Sequence, residues 1–410
     1  MLQNPHLPAF GPLSGAKVAH ATSSLAGPFP AQLMADMGAD VIWLENVKGP
    51  DYLRWAGSRV IDQERRNQRE IALDIPSEKG REVLFRLVKD IDVLIESSKG
   101  GQWAGWGITD EVLWEHNPAL VIVHVSGFGQ TGLPSQVRRG SYDPIAQAYS
   151  GTMILNGFPD RKPTALIPYV SDYMTGLFAA YAALASLNKA KETGKGDSVD
   201  IAQYEVMLRC ACHATDYMTD GKVYPREGMH SANVGSVGTY ECADGKDLYL
   251  CAGSQSCLKR LIPLIGLEYG SEMFPEGMPL VFLGTEAGDV YEAALSKFFS
   301  EHTAEEAERI LLEKDIPVSR INDYEDCKND EHMNLRGDFE TWTNFAGEEI
   351  RGLAPQPKLK NFPVKSWRPA PDVGMDNDEV LSELGYSEQE IAALYEQRVI
   401  GKLDSIPHRK

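Results

Sequence analysis

The chain has 410 residues, 43% of them apolar and 24% charged, with a formal net charge of −19. That length exceeds what one hydrophobic core normally fills, so two domains are expected. The acidic balance argues against nonspecific nucleic-acid binding, which needs basic surface to displace counterions from phosphates, and no apolar run approaches the roughly 20 residues of a membrane span.

Met1 to Ala9 shows no secretory pattern, and the six cysteines are too sparse for a disulfide framework. A soluble, reduced, cytoplasmic protein is therefore expected. The first 130 residues then alternate short apolar runs with helical patterns, as parallel strands joined by crossover helices do. Lys17 to Thr22 reads as a strand, Pro28 to Gly38 as a helix closed by glycine, and Asp40 to Glu45 as the next strand. Ile71 to Ile75, a helix from Glu78 to Ile91, Val93 to Glu96 and Leu120 to Ser126 continue the pattern. The near-continuous Val/Ile content suggests strands buried on both faces, and hence a Rossmann-like, doubly wound α/β sheet.

Val170 to Leu187 reads as a long Ala-rich helix, Ser198 to Ile201 as another strand, and Tyr204 to Met218 as one further helix. The segment 221–238 is rich in glycine and polar residues. Tyr240 to Lys246 reads as a hairpin leading into Leu248 to Ala252, and Ala304 to Leu312 as a helix with glutamates near its start, where the helix dipole favours negative charge. These elements define a large domain over 1–220 and a smaller α+β domain over 221–330. In 331–410, a connector carrying Pro355, Pro357, Pro363, Pro369 and Pro371 is too rigid for a helix. Helices at Asp376 to Leu384 and Ser387 to Val399 follow it and are expected to return to the large domain.

Several groupings admit more than one chemistry. The turn after the first strand, Ser23 to Pro28, has one glycine and a proline where a dinucleotide fingerprint needs three glycines, so nicotinamide binding is not supported. Cys210, Cys212 and His213 crowd together with poor metal-ligand spacing, and no metal is expected. Lys99, followed by Gly100 and Gly101, stands at a strand end where open α/β sheets bind ligands. Arg65, Arg66 and Arg69 form a basic cluster suited either to phosphates or to solvated surface. Asp172, directly before an apolar helix, is open to two readings: a cap for free backbone donors, or a covalent nucleophile.

Certain segments carry a resemblance over essentially the whole chain. They are Gly11 to Val18, Ala26 to Pro28, Met37 to Glu45, Asn117 to Gly129, Tyr142 to Gln147 and Ile167 to Asp172, with Trp367 to Pro371 and Leu384 to Ser387 near the end. On these segments the chain resembles the family III CoA-transferases. Within that family, Ser97 to Gly100, Gly107 to Pro118, Arg65 to Asn67 and Asp200 to Arg209 are similar to the bacterial L-carnitine branch. The resemblance implies transfer of coenzyme A from crotonobetainyl-CoA or γ-butyrobetainyl-CoA to a carboxylic acid such as L-carnitine, through an aspartyl-CoA thioester on Asp172. It places Lys99 on CoA and puts Trp106 where the carnitine enzymes carry an arginine. It also implies an interlocked homodimer in which Val234 to Gly238 approaches the partner's catalytic aspartate, with Gly235 and Gly238 as candidate oxyanion donors. Arg65, Arg66 and Tyr142 complete the expected substrate and CoA-binding set, with no cofactor beyond the CoA thioester itself. An α-methylacyl-CoA racemase is disfavoured because Tyr142 stands where that enzyme uses histidine. A noncatalytic CoA-binding protein would not need Asp172.

Overall fold

The structure, a computed structural model, describes residues 2–402. Six parallel strands form one sheet: β1 (Lys17–Ala21), β2 (Asp40–Glu45), β3 (Gln68–Ala72), β4 (Val93–Glu96), β5 (Val121–Ser126) and β6 (Ser198–Ala202), in the order β3-β2-β1-β4-β5-β6. The chain builds outward from β1 to β3 and then crosses back to place β4 on the other side of β1. The switch of direction falls between β1 and β4, where open α/β sheets leave a crevice at the strand carboxyl ends.

Alternation along each strand divides the core in two. Val18, Val93, Ile95, Val121 and Val123 face α1 (Pro28–Asp36) and the long helix α5 (Val170–Thr193), meeting Ala31, Met34, Ala179 and Ala183. Ala19, Leu94 and Ile122 face the opposite layer. There they share a core with Leu84 and Leu87 of α2 (Glu78–Val88) and Leu113 of α3 (Asp110–His116). Two later helices, α10 (Asn377–Glu383) and α11 (Glu388–Glu396), add Val380, Leu381 and Leu394 to that same core.

The chain forms two compact units. The first holds the residues up to Thr152, Leu166–Cys212, and those from His332 on; the second holds Met153–Ala165 and His213–Glu331. The boundary thus lies at Cys212, short of residue 220. The single helix expected over Tyr204 to Met218 is correspondingly two: α6 (Gln203–Cys210) and a separate helix His213–Asp220, divided at the non-helical Ala211. The second unit contains the antiparallel sheet β7 (Val237–Glu241), β8 (Asp247–Cys251) and β9 (Val318–Arg320). It packs on α7 (Gln255–Leu264), α8 (Glu286–Ser300) and α9 (Ala304–Glu313) around Leu250, Leu261, Leu295 and Phe299.

The third strand begins earlier than its apolar run suggests, and the reason is charge. Arg69 lies inside β3 and is buried, its guanidinium bonded to Asp40 at 2.9 Å and Glu383 at 2.7 Å. Arg66 is also buried, paired with Asp36 at 3.2 Å and with Glu340 at 3.0 Å. Glu340 belongs to a hairpin, β10 (Phe339–Thr343) and β11 (Glu349–Leu353), that no apolar periodicity announces. Asn67, at φ 64°, ties the proline-rich segment down by accepting from Trp367 N–H at 2.7 Å and donating to Lys365 O at 2.9 Å.

Arg65 is 0% exposed. It donates to Asp51 at 2.8 Å and to the carbonyl of Ser24 at 2.6 Å. Its guanidinium lies over the Trp43 ring, 4.9 Å from the centroid, as that of Arg54 does at 4.8 Å. Trp43 in turn donates to Thr22 O at 3.0 Å. These contacts fasten the Thr22 to Ser24 turn after β1. Removing one member of a buried ion pair strands the other charge, at a cost of roughly 3–5 kcal/mol. Arg65→Ala should therefore lose stability on that scale in urea unfolding, and a loss under about 1 kcal/mol would contradict the structural role assigned to the Asp51 pair.

Candidate active site

Two clefts open at the switch point, and each borders both the turn after β1 and the turn after β4. The first, about 390 Å³, is lined by Thr22, Ser23, Leu73, Ile75, Ser97 to Lys99, Trp103 and Trp106 among others. The second, about 360 Å³, is lined by Ser23, Gly27, Ser97 to Lys99, Arg139 to Tyr142, Asp172 and Gln203 among others. The turns approach closely because side chains are absent where they meet. A Cβ on Gly27 would lie 2.5 Å from Cβ of Ser97, and one on Gly127 would lie 2.3 Å from Cβ of Ser141.

Asp172 sits in the first turn of α5 and is 6% exposed. The Asp172 side chain does not serve as the helix cap. The N–H groups of Ser171 and Asp172 donate to Asp143 Oδ1, at 2.7 and 3.3 Å. Asp143, in the first turn of α4 (Asp143–Tyr149), is itself held by Gln147 Nε2 at 2.6 Å. Tyr169, in the left-handed region with φ 41°, precedes α5 and makes no side-chain cap. The Asp172 carboxylate is thereby freed from local bonding. Its Oδ1 accepts from Gln203 Nε2, and Gln203 Oε1 accepts from Ser141 at 2.8 Å.

Burial, and then the negative charge of Asp143, push the Asp172 carboxyl up to about 7, against the opposing hydrogen bond from Gln203. A carboxylate with such a value is a stronger nucleophile than an ordinary aspartate and is ionised in appreciable part near neutral pH.

The turn carrying Lys99 is anchored from beneath. His124 of β5 bonds Glu96 Oε1 at 2.7 Å and Asp110 Oδ1 at 2.9 Å, while Glu96 Oε2 accepts from Ser98 N–H at 2.6 Å. Burial alone would lower the imidazole, but the Asp110 and Glu96 bonds prevail and raise it to about 10. It therefore stays protonated through neutral pH, a cation between two carboxylates.

The expected site residues divide into three groups. Lys99, Tyr142 and Asp172 line the second cleft, and Lys99 and Trp106 line the first. Arg65 and Arg66 line neither. Their assignment to phosphates is corrected by the buried ion pairs that occupy both guanidiniums. Gly235 and Gly238 lie in the second unit. There the N–H of Gly235 is spent on Val281 O at 2.9 Å, which removes one of the two expected oxyanion donors, and the neighbouring N–H of Ser236 is spent on Glu292 at 2.9 Å. Of the other tyrosines near these segments, Tyr173 turns to Glu64 at 3.2 Å and stacks edge-on against Phe29.

Three residues at or behind the second cleft were given no role from the sequence: Gln203 and Arg139, which line it, and Asp143, which holds the backbone at Asp172. The guanidinium of Arg139 rests over Phe128 at 4.4 Å and Tyr149 at 5.3 Å. The Asp143-x-x-x-Gln147 spacing places both side chains on one helical face. Gln203 stands directly after β6, at the carboxyl edge where ligands bind.

The sequence model of CoA-transferase family III matches residues 13–377. Bile acid CoA-transferase BaiK of Clostridium scindens is 40% identical over 403 residues, spanning 97% of this chain and 92% of that protein. A CAIB/BAIF family protein from Brucella suis has the same fold, with a TM-score of 0.77 at 28% identity, covering 92% of this chain and 100% of that one. Rv3272 from Mycobacterium tuberculosis shares the fold at a TM-score of 0.76 and 21% identity, covering 91% and 99%.

A carboxyl raised from 3.8 to about 7 imposes a penalty that grows with pH. The folded form is favoured while Asp172 is protonated, and stability falls as pH rises between the unfolded and folded values, by a total on the order of a few kcal/mol. Asp172→Asn should therefore melt above the wild type at pH 8, with the difference shrinking toward pH 4. An equal or lower melting temperature at pH 8 would show that Asp172 is not held at a raised value.

Proposed function

We propose that this chain, which belongs to CoA-transferase family III, moves coenzyme A from an acyl-CoA to a free carboxylic acid by covalent catalysis through Asp172. The observation that carries this reading is the release of the Asp172 carboxylate from helix capping by Asp143, which leaves it facing the second cleft.

One oxygen of Asp172 attacks the thioester carbonyl of the donor. The C–S bond breaks, CoA leaves as thiolate, and a mixed anhydride joins the acyl group to Asp172. The thiolate returns to Cγ of Asp172, the donor acid leaves as carboxylate, and an aspartyl-CoA thioester remains. The acceptor carboxylate attacks Cγ next, expelling the thiolate and forming a new anhydride. Attack of the thiolate on the acceptor's acyl carbon then yields the new acyl-CoA and restores Asp172. One thioester replaces another, so the exchange is close to thermoneutral. Lys99, shared by both clefts, suits the diphosphate of CoA, and Trp106 with Leu73 and Ile75 gives the first cleft the apolar and aromatic surface that a nucleotide base takes. The reading requires no cofactor beyond CoA carried as substrate.

For the acid, we favour a bile-acid-type carboxylate. The likeness to BaiK over nearly the whole chain supports it. Lys99 and Arg139 at the second cleft also oppose a trimethylammonium group. The carnitine reading, with crotonobetainyl-CoA or γ-butyrobetainyl-CoA as donor and L-carnitine as acceptor, rests on the motif resemblance and on exposed aromatic faces such as Tyr142, 61% exposed, which suit quaternary ammonium groups. A cytoplasmic, interlocked homodimer is part of the same proposal. Among the described residues no helix is long and apolar enough to cross a membrane.

The test is intact-mass spectrometry of wild type and Asp172→Ala after incubation with cholyl-CoA and, separately, with each betainyl-CoA, while new acyl-CoA is followed on adding the acceptor acid. The wild type should gain a CoA adduct and the variant none. Turnover by Asp172→Ala would overturn the covalent route. Transfer from a betainyl-CoA but not from cholyl-CoA would replace the bile-acid reading with the carnitine one.

A further inference from the structure

We infer that the side-chain amide of Gln203 is a catalytic oxyanion donor, stabilising the charge that develops on Asp172 Oδ1 whenever the carbonyl of Asp172 itself is attacked. The inference rests on the proposed covalent route.

Gln203 stands where β6 passes into α6, and it is 4% exposed. A glutamine so buried needs partners for both ends of its amide. It has them: Nε2 donates to Asp172 Oδ1 and Oε1 accepts from Ser141 Oγ at 2.8 Å. The Ser141 bond fixes which end of the amide faces the carboxylate. Ser141 is in turn set by its close approach to Gly127, where any side chain would collide with its Cβ. Donor, orienting group and reacting carboxyl are therefore placed before substrate arrives, the condition under which a hydrogen bond contributes most to a transition state.

In the four-step route, the first and last attacks fall on substrate carbonyls and put negative charge on substrate oxygen. The two middle attacks fall on Cγ of Asp172. The CoA thiolate adds to the anhydride there, a C–S bond forms and the donor carboxylate leaves. The acceptor carboxylate then adds to the thioester there, a C–O bond forms and the thiolate leaves. In both steps the electron pair of the Asp172 carbonyl moves onto its oxygen in the tetrahedral intermediate and returns as the leaving group departs; no proton is transferred. With Oδ1 already against Gln203 Nε2, the other oxygen is the one left to act as nucleophile, and Oδ1 becomes the carbonyl oxygen of both covalent intermediates. The backbone donors of Gly235 and Ser236 are committed within their own unit, so this amide supplies what they do not.

The role predicts a step-specific defect. Gln203→Leu preserves volume and removes the donor, and Ser141→Ala leaves the amide in place but unoriented. Full-length wild type and both variants are mixed with whichever of cholyl-CoA and crotonobetainyl-CoA the wild type turns over. They are quenched at intervals and analysed by intact mass, with parallel samples rapidly freed of unreacted acyl-CoA, itself reactive toward hydroxylamine, before hydroxylamine releases the protein-bound acyl anhydride as the donor's hydroxamate. Gln203→Leu should form the CoA adduct about 10²–10³-fold more slowly than wild type, with KM for the donor changed less than about threefold and donor hydroxamate trapped at close to the wild-type rate. Ser141→Ala should slow adduct formation roughly tenfold and stay folded, with a melting temperature no more than a few degrees below wild type for the amide oxygen left unpaired. If Gln203→Leu fails to fold, Ser141→Ala decides alone. Adduct formation at the wild-type rate in either folded variant overturns the inference. So does equal slowing of hydroxamate and adduct, which marks Gln203 as a purely structural support of Asp172. A wild type that forms no CoA adduct with either thioester overturns the covalent reading, and this inference with it.

Discussion

The site depends on two backbone donors, those of Ser171 and Asp172, being satisfied by a carboxylate that is not Asp172's own. An aspartate in the first turn of a helix ordinarily spends itself on such groups. Here Asp143 reaches across from α4 and takes them, and Gln147 holds Asp143 in place. Asp172 is left buried, adjacent to a second negative charge and bonded through one oxygen to Gln203. Its raised value follows from burial and then from the like charge of Asp143, against the opposing bond from Gln203, rather than from any property of the helix. A helix terminus that would have stabilised the carboxylate instead places it beside a like charge.

The polar framework around the clefts is as internal as the apolar core. Beneath the turn after β1, Arg54 and Arg65 both lie over the Trp43 ring, each held by its own carboxylate. Beneath the turn after β4, a protonated His124 bridges Glu96 and Asp110. Buried charges of this kind gain little net stability over apolar packing, but they have one satisfied geometry and severe penalties for others. The turns that border the clefts are thus fixed by directional bonds, while the helices behind them are fixed by less directional apolar contact.

That distinction also explains what could be read from sequence. Strands β2 and β4 stand where their apolar runs place them, at Asp40–Glu45 and Val93–Glu96. Periodicity reports the faces of a sheet, and those faces are apolar. Strand β3 starts three residues before the expected Ile71 because Gln68, Arg69 and Glu70 are buried polar residues that no apolar run announces; Arg69 is held by Glu383 and the N–H of Glu70 by Asp376, both hundreds of positions away. The hairpin Phe339–Leu353 escaped for a related reason: it packs on Gln63 and Arg66 through polar contacts. At the site, Asp172 was visible as a residue with two readings, and the choice lay with Asp143, 29 positions earlier. Gln203 lay inside the Asp200 to Arg209 segment but carried no signal of a role, since an amide after a strand is unremarkable until the fold sets it against a carboxylate.

The two clefts share a partition, formed by Ser23 and by Ser97 to Lys99. A ligand long enough to occupy both must pass along that wall, one end among Leu73, Ile75 and Trp106 and the other at Asp172. Its remote end then acts as a handle. Grip on the handle sets where the reactive end comes to rest, so attraction felt far from the chemistry can be converted into alignment at the carboxylate. A shortened ligand that kept the reactive group but lost the handle would still reach Asp172, yet it would arrive in many poses where the full ligand arrives in few.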